Sequence, residues 1–214
     1  IRLLSYVGVR GMGALEFLPN YRSENHQQGI IETDLTLLSE LSNSIVENRD
    51  GSFKVPKHQL QQIFQVGSSA GGARAKAIIS YNFKTNEFAY SYTHQTDFTP
   101  IMVKFDSLDQ AGNSYDYGRI EYIYHKMAAK AGIQMTECGY FRDGKQSHFY
   151  TRRFDRTRTG EKLHLQTLAA ISGKNPRELH DYELVYRTIL KLGLTYKDLE
   201  QQFRRMVFNF YAAN

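Results

Sequence analysis

Three stretches of this chain carry residue types and spacings that could do chemistry. The first is Val66-Gly67-Ser68-Ser69-Ala70-Gly71-Gly72-Ala73-Arg74-Ala75-Lys76. Glycines let backbone N–H groups approach phosphate oxygens closely, and the hydroxyls and Lys76 add donors. It is not a Walker loop, because Ala73 stands where lysine would follow Gly72, and a strand rather than a helix comes next, so it is not a dinucleotide fingerprint. A plain surface loop has much the same composition. The second stretch, Pro100-Ile101-Met102-Val103-Lys104-Phe105, places a lysine inside an apolar strand. Such a lysine must reach solvent, pair with an acid or meet an anion. The third is Glu121, at the border of the apolar stripe of the next helix, where its carboxylate can turn toward the sheet. The alternative is an i,i+4 contact with His125, worth roughly a few tenths of a kcal/mol.

A glycine-rich loop, a strand lysine and a helix glutamate, in that chain order, are the nucleotide-handling parts of a protein-kinase small lobe. There the lysine neutralises phosphate charge and the glutamate holds the lysine in place. Downstream, Phe149-Tyr150-Thr151-Arg152-Arg153-Phe154-Asp155-Arg156 ends another strand. In a kinase-like fold it would lead into the hinge where backbone groups read adenine, with Asp155 able to reach the ribose. A charged strand end with Arg–Asp pairs accounts for the same residues. The seven histidines and single cysteine show no metal-ligand spacing. Arg152, Arg153, Arg156 and Arg158 fit a solvated basic edge or a phosphate site better than a nucleic-acid surface, since no recognition-helix pattern stands beside them.

The elements that must position these residues follow from periodicity. Leu3 to Val7 and Ala14 to Leu18 read as short strands around a glycine turn. Leu35, Leu37, Leu38, Leu41, Ile45 and Val46 recur at helical spacing behind Asp34, and Pro56 opens a second helix with Leu60, Ile63 and Phe64 on one face. Strands are expected over Ala75 to Tyr81, Glu87 to Tyr92 and Pro100 to Phe105, with Lys84-Thr85-Asn86 as the first turn. The stripe Ile120, Ile123, Tyr124, Met127, Ala128 and Ala131 predicts a helix over Tyr115 to Ala131, ended by Gly132. Two strands, Met135 to Phe141 and His148 to Phe154, flank the turn Arg142-Asp143-Gly144-Lys145. The last third reads as helices over Leu163 to Ile171, Tyr182 to Leu192 and from Thr195 onward, the last with Asp198 as a capping-box partner and Leu199, Phe203, Met206, Val207 and Phe210 on one face.

Composition narrows the class. The chain has 214 residues, 41 % of them apolar and 23 % charged, which is globular rather than disordered. The net charge of +5 suits an anionic ligand or partner without requiring one. Cys138 cannot form an internal disulfide, which favours a reducing compartment. No stretch approaches 18 consecutive apolar residues, the signature of a membrane-spanning helix. The start at Ile1 and the lack of a signal-peptide pattern suggest a piece of a longer protein.

Several stretches together resemble the HipA family, the serine/threonine protein kinases of bacterial toxin–antitoxin pairs. They are Tyr6-Val7-Gly8 with Gly13-Ala14-Leu15-Glu16; Ser69-Ala70-Gly71-Gly72-Ala73-Arg74-Ala75-Lys76; Val103-Lys104-Phe105; and Glu121 with Met127-Ala128 and Ala131-Gly132-Ile133. Further along come Arg153-Phe154-Asp155-Arg156, His164-Leu165-Gln166-Thr167-Leu168 and Phe203-Arg204-Arg205-Met206-Val207-Phe208-Asn209. The resemblance implies an α+β fold: a kinase-like small lobe with an antiparallel sheet, then part of an α-helical large lobe. Residues 1–66 would lead into the small lobe at 67–156, and 157–214 would supply the first large-lobe helices. It implies ATP and Mg²⁺ as cofactors, with Ser69, Ala70, Gly71, Gly72, Ala73, Lys76, Lys104, Glu121, Arg153, Phe154 and Asp155 on the nucleotide and Ser69 as the autophosphorylated serine. A protein substrate, a DNA-binding antitoxin partner and a cytoplasmic location are implied for the parent protein. The family's catalytic loop, Asp-Asp-His-x-x-Asn, and its metal-binding Asp are expected after Asn214, so no catalytic or metal-ligand residue is assigned here and the 214 residues alone are expected to be inactive. The rival readings are a non-catalytic nucleotide- or partner-binding module and a small basic nucleic-acid binder.

Overall fold

The computed structural model describes residue 8 and residues 11–18, 32–33, 35–36, 38–39, 75–89, 97–108, 111–175 and 181–213. The architecture is α+β. The chain divides into two units, one of Ile1–Tyr122 with Thr136–His164, the other of Ile123–Met135 with Leu165–Asn214.

Among its described residues the first unit is built on an antiparallel sheet of six strands: β1 (Glu32–Thr33), β2 (Lys76–Asn82), β3 (Glu87–Ala89), β4 (Thr99–Lys104), β5 (Cys138–Asp143) and β6 (Gln146–Arg152), in the order β1-β3-β2-β4-β6-β5. Two tight turns set the registers. Between β2 and β3 the Asn82 side chain accepts from Lys84 N and Thr85 N, and Asn86 takes φ 63, a left-handed value that asparagine tolerates. Between β5 and β6 a two-residue loop pairs Asp143 with Gln146, with Gly144 at φ 55.

Alternation along the strands divides the sheet. Ala77, Ile79 and Tyr81 of β2 with Ile101 and Val103 of β4 form the buried core, packed by Phe88, Phe141 and Tyr150 and by the helical residues Leu35 and Leu38. Lys104 follows Val103 and therefore stands on the other face, where the register sets it opposite Lys76 on β2 and Phe149 on β6. Helix α1 (Tyr117–Lys130) follows β4.

The second unit holds, among its described residues, the C-terminal part of α1 with α2 (Leu168–Ser172), α3 (Tyr182–Lys191) and α4 (Tyr196–Tyr211). Asp181 caps α3 by accepting from Leu184 N, and Thr195 and Asp198 form the expected capping box on α4. Tyr124 of α1 donates to Ala212 O, and Arg204 and Gln201 of α4 donate to the carbonyls of Ala131 and Gly132 just past the end of α1. Gly132 closes α1 at φ 75. No helix among the described residues is long and apolar enough to cross a membrane.

Some expected boundaries are corrected. Ala14 to Leu18 is not a strand: the segment runs through bends, pinned by Phe17 N donating to Gly8 O and by side chains described below. The helix expected from Leu163 begins at Leu168, because Leu163 N is engaged by Asp155 O and Thr167 is the cap. The strand expected over Met135 to Phe141 starts at Cys138, and β6 ends at Arg152, leaving Phe154 and Asp155 in a turn. Most of the helix behind Asp34 and all of the one opened by Pro56 lie outside the described residues.

Candidate functional site

Lys104 is the last residue of β4, and its ammonium meets one group from α1 and one from β6. Its Nζ lies 2.6 Å from Glu121 Oε2, with the two side chains 30 % and 24 % exposed. The same Nζ sits 5.5 Å from the centroid of the Phe149 ring, the cross-strand neighbour on β6. Lys76 is its cross-strand partner on β2. Two like charges opposite one another on a sheet repel. Glu121 offsets that repulsion at Lys104, and an anion placed over the pair would offset it further. The ion pair expected between strand and helix is therefore present.

Glu121 reaches Lys104 because the first turn of α1 is held against β6. Asp106, two residues past Lys104 and fully buried, holds it. Its Oδ1 accepts from Ser107 N at 3.0 Å and from Tyr117 N, the first residue of α1, at 3.2 Å. Its Oδ2 accepts from Ser147 N of β6 at 3.2 Å and from the Ser114 hydroxyl. Its carbonyl accepts from Gln146 Nε2, and its own N–H donates to His148 Nδ1 at 3.0 Å. Gly118 then permits close approach: a Cβ there would stand 1.9 Å from Ser147 O and 2.8 Å from Phe149 N. His148 is fully buried. Burial lowers its pKa, with Asp143 and Asp106 pulling the other way.

The stretch after β6 forms a second knot. Asp155 is 1 % exposed. It receives Arg153 through both oxygens, Nε at 2.9 Å and Nη2 at 2.7 Å, together with Arg156 Nη1 at 3.1 Å and Gly13 N at 2.6 Å. The two guanidiniums also donate to Gly11 O, and Arg156 to Gly13 O. Burial alone would raise the Asp155 carboxyl. The Arg153 and Gly13 hydrogen bonds and the two guanidinium charges outweigh it and hold the pKa below the ordinary carboxylate range. The Asp155 carboxylate is thus spent on tying the segment around Gly11 and Gly13 to the end of β6. Phe154, beside it, is 60 % exposed.

Of the residues singled out in the sequence, the structure brings Lys76, Lys104 and Glu121 to one face of the sheet, with Arg153, Phe154 and Asp155 just past the end of β6. Ser69, Ala70, Gly71, Gly72 and Ala73 lie outside the described residues. Sequence reasoning missed Asp106, Ser114, Gly118 and His148. The one available signal was an acid two residues past the strand lysine, followed by serine and aspartate before a helix, which is cap chemistry. Nothing in the sequence joined His148 to it.

What this arrangement offers chemically is an ammonium group held at a fixed place, with a second lysine at the opposite register position, for an anion. Comparison with curated proteins gives no match. The family model of the HipA-like C-terminal domain matches residues 68–214, which include the lysine pair, Glu121 and the Arg–Asp knot. That match spans more than half of the 214 residues, so the chain belongs to the HipA family.

Proposed function

We propose that this chain is the nucleotide-handling part of an ATP-dependent serine/threonine protein kinase, a toxin of a toxin–antitoxin pair, whose first unit serves as a kinase-like small lobe. The observation that carries this reading is the Lys104–Glu121 ion pair beside the cross-strand Lys76. Phosphoryl transfer asks a protein mostly for positioning and charge stabilisation. Lys104, oriented by Glu121, and Lys76 would hold the phosphates. The loop Ser69 to Ala73 would add backbone N–H donors for them, and the backbone of Arg153 and Phe154 would meet the base. ATP supplies the transferable phosphoryl group, and the lysines on this face, one of them held by the Glu121 carboxylate, fit its phosphates. Among the described residues no group of three or more His, Cys, Asp and Glu could hold a metal ion, so Mg²⁺ is given no ligand here. Ser69 is the proposed autophosphorylation site. Its phosphate would bring a charge of about −1.5 to −2 to compete for the same cations. The parent protein would act on a protein substrate in the cytoplasm and be restrained by a DNA-binding antitoxin.

The test is nucleotide affinity. Calorimetric titration of the chain with ATP should show binding that Lys104→Met weakens by roughly ten- to a hundredfold, the scale of a charge-assisted hydrogen bond worth about 1.5–3 kcal/mol. Binding unchanged by Lys104→Met would overturn the reading. Salt-sensitive binding of DNA without any binding of ATP would replace it with a nucleic-acid module.

A further inference from the structure

The groups nearest Lys104 do not include Asp106 or His148, yet the geometry gives both a part in where its ammonium sits. Asp106 is bonded to β4 through the chain, to β6 through Ser147 N and Gln146, and to the first N–H of α1 through Tyr117. Glu121 lies four residues on from Tyr117, one turn along the same helix. A shift of that turn therefore moves the Glu121 carboxylate away from Lys104. His148 sets the backbone of Asp106, because its Nδ1 accepts the Asp106 N–H. An accepting Nδ1 puts the imidazole proton on Nε2. Among the described residues Nε2 is the buried side-chain polar atom without a hydrogen-bond partner. A buried polar atom without a partner is costly, and phenylalanine would fill a similar volume without it. The part of the ring that earns its place here is the acceptor at Nδ1.

We propose that Asp106 and His148 are positioning residues, which set the Lys104–Glu121 ion pair by fixing the first turn of α1 on β6. In the intact kinase this rests on the reading of Lys104 as the phosphate ligand, but the positioning itself needs no nucleotide and is tested without one. The four groups that bind the Asp106 carboxylate then share one task, with Ser114 and Ser147 holding the acid while the acid holds the helix.

The experiment measures the rate at which an amine-reactive acylating reagent labels Lys104, read residue by residue by mass spectrometry at one pH. Lys84, whose side chain is 84 % exposed, serves as the internal standard. Glu121→Gln sets the rate for a lysine without its acid, expected to be about threefold above the unsubstituted chain, the scale of a half-exposed ion pair. Asp106→Asn and His148→Leu should raise Lys104 labelling toward the Glu121→Gln rate with Lys84 unchanged. His148→Asn, whose Oδ1 can replace Nδ1 as acceptor, should restore the original rate. If Asp106→Asn does not fold, Ser114→Ala, which removes one of four hydrogen bonds, is read in its place and should give a smaller rise. Wild-type labelling of Lys104 in folded His148→Leu, or equal labelling in His148→Leu and His148→Asn, would overturn the proposal. Protection of Lys104 by ATP in the unsubstituted chain is a separate arm. Its absence would sink the nucleotide reading and leave the positioning result standing.

Discussion

At Asp155 a single carboxylate pairs with two guanidiniums, whose side chains are each less than a tenth exposed: Arg153 at 6 % and Arg156 at 9 %. Such a cluster is not a net stabiliser when compared with a well-packed apolar replacement, but removing one partner strands the others in a poorly solvated place. Asp155→Ala leaves two buried cations bonded to the carbonyls of Gly11, Gly13 and residue 155 in place of a carboxylate. It should therefore cost about 3–5 kcal/mol, measured as a drop in the urea midpoint with an unchanged slope. The ion pair between Lys162 and Glu16 lies close by in the chain but is open to solvent at the Glu16 end. Glu16→Gln should cost under about 1 kcal/mol. Equal losses for the two substitutions would mean that the knot is no more than a surface ion pair. The contrast also separates what residue types alone could tell. An Arg-Phe-Asp-Arg run at a strand end reads first as a charged edge and only second as ligand-binding groups. Only the fold, by bringing Gly13 N from 142 residues away, turns it into an interior clamp.

Elements decide where the site residues point. Alanine is the better helix former, by about 1 kcal/mol over glycine in a helix interior. Gly118→Ala in α1 should nevertheless destabilise, because the new Cβ would meet backbone atoms of Ser147 and Phe149 that have no rotamer to yield. A loss of roughly 1–3 kcal/mol is expected in thermal or urea unfolding, with faster labelling of Lys104 as the helix is pushed off β6. A gain in stability would show that the close approach does not hold in solution. The strands and helices around this contact were largely legible in the sequence. Strand-like runs placed β2 and β4 to within a residue, the stripe from Ile120 to Ala131 placed α1, and Thr195 with Asp198 marked the start of α4. The opposition of Lys104 and Glu121 was legible too, because a lysine among apolar strand residues needs a partner and the next helix offered an acid. What stayed hidden depends on register and long-range approach. The pairing of Lys76 with Lys104 is set by the β2–β4 register, which no local pattern states. Gly118 carries no local mark of its close approach to β6, and Ala14 to Leu18, which reads as a short strand after a glycine turn, is held instead by Phe17 N donating to Gly8 O, next to glycine carbonyls taken by Arg153 and Arg156.

On the scale of the molecule, the groups whose pKa the fold lowers give the protein a direction of pH sensitivity. The His148 pKa is lowered from the ordinary 6.5 by burial, against the pull of Asp143 and Asp106. The unfolded chain therefore binds a proton at this histidine more readily than the folded one. Its contribution to stability is fully present above about pH 6.5 and is lost as the pH falls through the folded value. His125 is lowered as well, by burial and then by Lys126, so it adds to the same slope. The Asp155 pKa also lies below its ordinary 3.8, and its contribution is lost in a second window that opens below that pH. The melting temperature should thus be nearly flat from pH 8 to 7, fall as the pH drops below about 6.5, and fall again below about 4. His148→Asn keeps an acceptor for the Asp106 N–H but cannot be protonated, so it should flatten part of the upper step and leave the lower one in place. Asp155→Asn should do the reverse, at a lower melting temperature throughout. A protonated His148 would also carry an N–H at Nδ1 directed at the Asp106 N–H, which removes the bond that fixes the first turn of α1. Labelling of Lys104 relative to Lys84 should therefore rise on the acid side of the upper step in the unsubstituted chain and not in His148→Asn. A ratio that stays constant across that step, while the melting temperature falls, would mean that His148 stabilises the sheet without setting the lysine.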